Sequence, residues 1–296
     1  MDWKSISFED KTIIEEMIQL KPYPLSDYNF THMNIWQNAF KLSFTITNGN
    51  LIVRGKDPIS NEDYIYMPMG IGNLQTSIDS IRSEFKRWHK PLIIKALTPK
   101  MMSEIRTLNI PCSNFTFNRN EYEYIYKTKH IAEYSDKNLR RKRELCRHFE
   151  SNYIYEFIRY ETEHHQLVLD LIEKWHENRE DDGFIVKSEK EGILKILNRF
   201  DQLTCEGFLL IISGEVVGFI IAESLTADIL LIHYEKGLRA YKGVYDILKR
   251  NVSRYYQSEF KYISLEEDMG IKGLRIAKEL YRPNHLISKG TITFMD

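Results

Sequence analysis

The sequence predicts a mixed α/β (α+β) protein of two tandem domains, each a mixed, largely antiparallel sheet flanked by helices. Three observations lead there. Apolar residues recur at helical spacing in some windows and alternate at strand spacing in others. Turn residues divide these windows into short elements, and no apolar run approaches the ~20 residues a membrane span needs. One order of elements (strand, two helices, antiparallel meander, helix, strand, helix, strand) is read twice, over residues 1–127 and again over 153–296. Residues 128–152 form a basic connecting helix between the two domains.

The first domain opens on Asp2–Phe8. A helix over Asp10–Leu20 follows, with Ile13, Ile14, Met17 and Ile18 on one face, and Pro22 and Pro24 end it. A second helix takes Ser26 or Asp27 as N-cap and buries Phe30, Met33, Trp36 or Gln37, and Phe40. Leu42–Thr47 and Leu51–Arg54 make a hairpin on Asn48-Gly49, a pair that tolerates the positive φ of a tight turn. Strand Asp63–Pro68, helix Leu74–Trp88, strand Leu92–Leu97 and helix Lys100–Leu108, capped by Thr98, complete the pattern. Glu121–Lys127 alternates aromatics with charges and reads as a last strand.

In the second domain, Tyr153–Arg159 is strand-like. Helix Glu163–Arg179 carries Leu167, Leu171, Ile172 and Trp175 at helical spacing, and helix Glu189–Phe200 is capped by Ser188. Gly207–Ile212, Val216–Glu223 and Ile229–Tyr234 form the meander, turning first on Ser213-Gly214-Glu215. Helix Arg239–Tyr256 buries Tyr241, Val244, Tyr245, Leu248, Val252 and Tyr255. Strand Lys261–Leu265, helix Ile271–Tyr281 and a final strand around Ile287–Phe294 close the domain.

A hydrophobic content of 43% with 28% charged residues is that of a globular chain. The net charge of −1 excludes indiscriminate nucleic-acid binding but not a local basic patch. Cys112, Cys146 and Cys205 are odd in number and lack CxxC spacing, and Met1-Asp2-Trp3-Lys4 lacks a signal-peptide pattern. Together these predict reduced thiols in a cytoplasmic protein. The nine histidines, His164-His165 among them, have no Cys or acidic partners at ligand spacing, which predicts no metal. No nucleophile elbow or P-loop is present.

Two strands of the second domain finish in charged clusters, His233-Tyr234-Glu235-Lys236-Gly237 and Glu266-Glu267-Asp268-Met269-Gly270. Ligands collect at such strand ends, where the backbone fans out and helix N-termini offer N–H groups. Alternation places His233 and Glu235 on one face and Tyr234 and Lys236 on the other. A carboxylate or imidazole poised near neutrality there can take a proton from an amine or hydroxyl. The plainer reading is a solvated strand end with a Glu–Lys ion pair. Of Glu266, Glu267 and Asp268, one acid suffices to cap the following helix, and Arg275 and Lys278 on that helix either pair with the acids or bind phosphate. The run Lys137–Arg147 holds six cations against one Glu. On a helix, Leu139, Cys146 and Phe149 face inward and Arg140, Arg141 and Arg147 outward; the run, with Lys142 and Arg143, is either an anion-binding face or an ion-paired junction.

The element order is that of the GCN5-related N-acyltransferase fold. Four segments make the resemblance specific: Asn138–Phe149; His233–Lys236 with Lys242, Gly243 and Tyr245; Glu266–Pro283; and Ser26–Trp36. The chain resembles the C-terminal domain of bacterial phosphatidylglycerol lysyltransferases, and more closely its soluble stand-alone relatives. In those lysyltransferases, tandem acyltransferase-fold domains carry an aminoacyl group from tRNA to a lipid head group. The resemblance implies acyl transfer to an amine or hydroxyl, without metal or covalent intermediate. His233, Glu235 and Lys236 would be catalytic, and Glu266, Glu267, Asp268, Arg275, Lys278, Gly243 and Tyr245 would bind substrate. Arg140, Arg141, Lys142, Arg143 and Arg147 would meet tRNA, nucleotide phosphates or a lipid head group. A lipid would be met from the water side. Coenzyme A-dependent relatives carry Gln/Arg-x-x-Gly-x-Gly/Ala after the third meander strand; Arg239-Ala-Tyr-Lys-Gly243-Val has one glycine and different spacing. Aminoacyl-tRNA is therefore the expected donor, ahead of acetyl-coenzyme A. A non-catalytic protein that binds an anionic ligand in the same cleft is the third reading.

Overall fold

The computed structural model describes residues 1–108, 110, 114–177 and 183–294. It divides into two compact units, Met1–Glu123 with the C-terminal segment from Ile287, and Tyr124–Leu286. In chain order the first unit contains β1 (Lys4–Ser5), α1 (Lys11–Leu20), α2 (Phe30–Phe40), β2 (Ser43–Thr47), β3 (Asn50–Lys56) and β4 (Asp63–Ile65). It continues with β5 (Met69–Gly70), α3 (Leu74–Arg87), β6 (Leu92–Leu97), α4 (Pro99–Arg106) and β7 (Asn114–Phe117). The second unit starts from β8 (Glu123–Lys127), α5 (Thr128–Glu133), α6 (Arg140–Asn152), β9 (Glu156–Arg159), α7 (His165–Glu177) and α8 (Phe184–Leu197). It then runs through β10 (Glu206–Ile212), β11 (Glu215–Thr226), β12 (Ile229–Gly237), α9 (Val244–Tyr256), β13 (Tyr262–Ser264), α10 (Lys272–Glu279) and β14 (His285–Ile287). The chain ends on β15 (Gly290–Phe294).

The expected class is present: two mixed sheets flanked by helices, in the tandem acyltransferase-type arrangement. The first sheet runs β1-β2-β3-β4-β6-β15-β7, with β5 against β3, and the second runs β9-β10-β11-β12-β13-β8-β14. Each contains a parallel pair, β4 with β6 and β12 with β13. The two orders correspond strand for strand, and the expected element order recurs in both, but with β7 and β14 as the closing strands in place of those expected.

Two strands lie elsewhere than expected. β8, read as the last strand of the first domain, pairs with β13 in the second sheet (Tyr262 opposite Lys127, Ser264 opposite Ile125). β15, read as the end of the second domain, pairs with β6 and β7 in the first sheet. Each unit thus receives the strand that follows the other's last element, and the inserted strand satisfies backbone groups on both its neighbours. The expected divisions at 127 and 152 differ accordingly. Residues 128–152 are no separate connector, because Tyr134, Leu139, Cys146 and Phe149 share the second unit's core with Val244, Ile247, Leu248 and Val252 of α9.

Local chemistry explains the remaining boundaries. Asn48 and Gly49 have φ of 50° and 73°, the positive values the hairpin needs. The N-cap of α2 is Asn29, whose side chain accepts from the His32 N–H, rather than Ser26 or Asp27. Ser26 instead donates to Glu123, and Asp27 accepts from the buried Lys289 at 2.7 Å. Helix α8 begins at Phe184, and its N-cap is Gly183, five residues before the expected cap Ser188. Ile14 is buried and Ile13 exposed in α1, and in α9 Tyr256 takes the buried place expected of Tyr255. Cys146 and Cys205 are free, buried thiols; Cys112 and Arg179 lie outside the described residues.

Candidate functional site

The site is built on β12. Its pairing with β11 sets Tyr234 opposite Ile221 and Ile232 opposite Ala222, so His233 is an extra residue, a β-bulge. The parallel pairing with β13 stops at Leu231 and Ser264, whereas β12 stays paired with β11 as far as Gly237. The charged cluster therefore does not lie where a strand runs out. It lies inside β12, along the stretch that β13 has left, where one backbone edge has no strand neighbour among the described residues.

The bulge also overturns the expected alternation. Leu230 and Ile232 pack in the core with α9, and Glu235 points the same way, forming an ion pair with Lys249 of α9. His233 instead bonds Glu223 of β11, and Lys236 bonds Glu189 of α8. One inserted residue shifts the side-chain phase, so His233 and Glu235 leave the strand on different faces.

The His233 imidazole is fully enclosed, with Nε2 2.9 Å from Glu223 and Nδ1 3.7 Å from Glu266. Burial disfavours its charge, but the hydrogen bonds and negative charges of Glu223 and Glu266 prevail and raise it to about 9. At neutral pH it is an imidazolium. Three consecutive residues carry buried polar atoms without a hydrogen-bond partner among the described residues: His233 Nδ1, Tyr234 Oη and Glu235 Oε1. Buried polar groups are almost always paired, but these three do not share one place: Glu235 faces α9, whereas His233 Nδ1 lies on the other face of β12, 3.7 Å from Glu266. Lys236 Nζ is 2.9 Å from Glu189 and 4.5 Å from the ring centroids of both Trp175 and Tyr234. Tyr245 accepts from the Trp175 indole at 2.9 Å on the same side.

The second cluster divides by role. Asp268 is fully buried and accepts from Tyr124 at 2.6 Å, from the Gly270 N–H at 2.9 Å, and from two Arg275 nitrogens at 2.8 Å. Burial opposes its charge, yet these donors hold it down at about 2. Lys278 donates to the carbonyls of Leu265 and Glu267. Asp268, Arg275 and Lys278 therefore fasten the loop after β13 to α10. Glu266, at φ 55°, turns back toward His233, and Glu267 is half-buried with its carbonyl on Lys278.

The basic helix divides as well. Arg140, Arg141 and Arg147 are exposed, Arg140 pairing with Glu144. Lys142 turns inward to Asp246 at 3.0 Å and lies 3.7 Å from the Tyr281 ring centroid. Burial lowers its pKa against the pull of Asp246. Arg143 donates to the carbonyls of Tyr134 and Asp136, so neither it nor Lys142 is part of the outward face. Gly243 has φ 95°, and a Cβ there would come within 2.5 Å of the Leu145 carbonyl oxygen. Its close approach is to α6.

Sequence reasoning missed Glu223, Glu189, Trp175 as a ring partner, Lys249 and Asp246. A signal existed for two of them. Glu223 directly follows the apolar run Phe219–Ala222, and Lys249 shares a helix face with Tyr245, Val252 and Tyr256.

The sequence profile of the family described as phosphatidylglycerol lysyltransferase, C-terminal, matches residues 19–291. The chain belongs to that family. Among solved structures, a conserved protein of unknown function from Bacteroides thetaiotaomicron superposes with a TM-score of 0.90 at 21% identity, covering 100% of both chains. L-PGS from Bacillus licheniformis gives 0.69 at 14% identity, over 96% of this family member and 92% of that chain. FemX gives 0.62 at 10% identity, over 100% and 98%. At these identities the likeness is one of fold. No functionally curated protein matches the sequence. Among the described residues, no helix is long and apolar enough to cross a membrane.

Proposed function

We propose that this family member is an acyltransferase that moves an acyl group, in the first instance an aminoacyl group from aminoacyl-tRNA, onto an amine or hydroxyl acceptor. The observation that carries this reading is the backbone edge of β12 that β13 leaves open, with the unpartnered Glu235 Oε1 on the same strand. Family membership and the fold shared with L-PGS and FemX support it. In this reading the donor's carbonyl lies along the open edge of β12. The acceptor attacks it, the new bond to carbon forms, and the carbonyl's bond to the donor oxygen breaks. Glu235 Oε1 takes the acceptor's proton and returns it to the departing oxygen. Backbone N–H groups along that edge stabilise the developing oxyanion, while the His233 imidazolium, held between Glu223 and Glu266 on the other face of β12, fixes the bulge. Exposed Arg140, Arg141 and Arg147 supply the cationic face for the donor's phosphates. Because Gly243 closes on α6, the helix start offers little room for a pyrophosphate, which favours tRNA over coenzyme A.

The test is label transfer from a panel of aminoacyl-tRNAs, with acetyl-coenzyme A in parallel. Glu235→Gln is expected to lower turnover by ~10²–10⁴ while the protein stays folded, and Arg140→Glu with Arg141→Glu to weaken donor binding in a salt-dependent way. Transfer from acetyl-coenzyme A but from no aminoacyl-tRNA would replace the donor assignment. Undiminished turnover in Glu235→Gln would remove the proposed base.

A further inference from the structure

A small cavity of about 10 Å³ lies inside the second unit, between its sheet and α9. Its walls include Ile232 of β12, Ile263 of β13, Leu265 just beyond β13, Tyr126 of β8, and Val252 and Lys249 of α9. The fork of the sheet sets its place. Leu231 and Ser264 are the last paired residues of β12 and β13, and Ile232 and Leu265 are the next residue on either side. The surface of the cavity is apolar throughout. Lys249 contributes its aliphatic stem, since its ammonium is drawn onto Glu235. A void of this size holds one water-sized group, and with no polar atom facing it a water has nothing to bond. The cavity thus borders the open stretch of β12, on the α9 face that Glu235 also occupies.

We propose that this cavity is the selectivity pocket for the transferred group, taking one methyl on the carbon next to the donor's carbonyl. The inference rests on the acyl-transfer reading and adds the class of acyl group to it: alanyl-sized, neither long nor cationic. Size decides first. A branched or longer chain would have to push Ile232 or Val252 out of a close-packed core. Charge decides next. A lysyl ammonium would lie unpaired among apolar walls, because Glu235 already carries Lys249. A glycyl group leaves the space empty and forgoes the contacts a methyl makes.

Enzyme-dependent label transfer from glycyl-, alanyl-, valyl- and lysyl-tRNA to hydroxylamine, giving the hydroxamate and free tRNA, tests this with the full chain. Alanyl-tRNA is expected to be used roughly 10–200-fold better than glycyl-tRNA, the usual worth of one carbon in an apolar pocket, and lysyl-tRNA about tenfold or more worse than alanyl-tRNA. Val252→Ile adds a methyl to the wall. It should remove the preference for alanyl over glycyl and leave the melting temperature unchanged or higher. Val252→Ala should admit valyl-tRNA, which the wild type rejects. A wild-type preference for lysyl-tRNA, or an alanyl-to-glycyl ratio that Val252→Ile leaves intact, overturns the pocket while the acyl-transfer reading stands. Transfer from none of these donors overturns both.

Discussion

The raised pKa of His233 makes a measurable demand on stability. A group held at about 9 when folded and near 6.5 when unfolded binds its proton more tightly in the native state. Its contribution is therefore complete below pH 6.5, and it disappears as pH rises through about 9. The difference corresponds to about 3 kcal/mol at 1.36 kcal/mol for each unit, and the imidazole is fully enclosed, so solvent screening removes little of it. Urea unfolding at about pH 6 and about pH 9.5 reads this directly. The wild type should lose roughly 3 kcal/mol over that interval beyond whatever His233→Gln loses, since glutamine keeps a donor toward Glu223 but does not titrate. Glu223→Gln should lower the imidazole's titration midpoint, because it removes the nearer carboxylate at 2.9 Å. Equal pH dependence in wild type and His233→Gln, or an imidazole resonance titrating at or below the ordinary value, would refute both the electrostatic account and the imidazolium role built on it.

Gly243→Ala should destabilise the second unit by about 2–4 kcal/mol in thermal or denaturant unfolding, since it combines a positive φ with a Cβ driven into the Leu145 carbonyl. Asp268→Ala should cost about 1–3 kcal/mol, because it removes the buried acceptor shared by the Tyr124 hydroxyl, the Gly270 N–H and Arg275. The loop 266–270 should then lose amide-exchange protection before the core strands do.

Much of the architecture was legible because local rules and tertiary packing agree. The Asn48-Gly49 turn, the β6 strand and the cap on Thr98 follow from turn chemistry, a β-rich apolar run and a Thr-Pro helix start, all of which act over a few residues. The anchors of α6 were readable for the same reason: Leu139, Cys146 and Phe149 point inward, and Arg140, Arg141 and Arg147 point out. The charged run itself was readable, since His233, Glu235 and Lys236 stand out in a strand otherwise built of Leu and Ile, but their partners Glu223, Lys249 and Glu189 were not.

What the tertiary structure alone decided are relations between residues far apart in the chain. Strand pairing is set by complementary edges, so no local pattern could reveal that β8 and β15 enter each other's sheets. Side-chain phase along β12 depends on register with β11, and one inserted residue at His233 separates it from Glu235. Partner choice is likewise nonlocal. Glu223 reaches His233 across a strand pair, Lys249 reaches Glu235 from a helix, and Asp268 gathers Tyr124, Gly270 and Arg275. The sequence determined which residues bear charge and roughly which elements carry them. Folding determined which partner each of those charges meets.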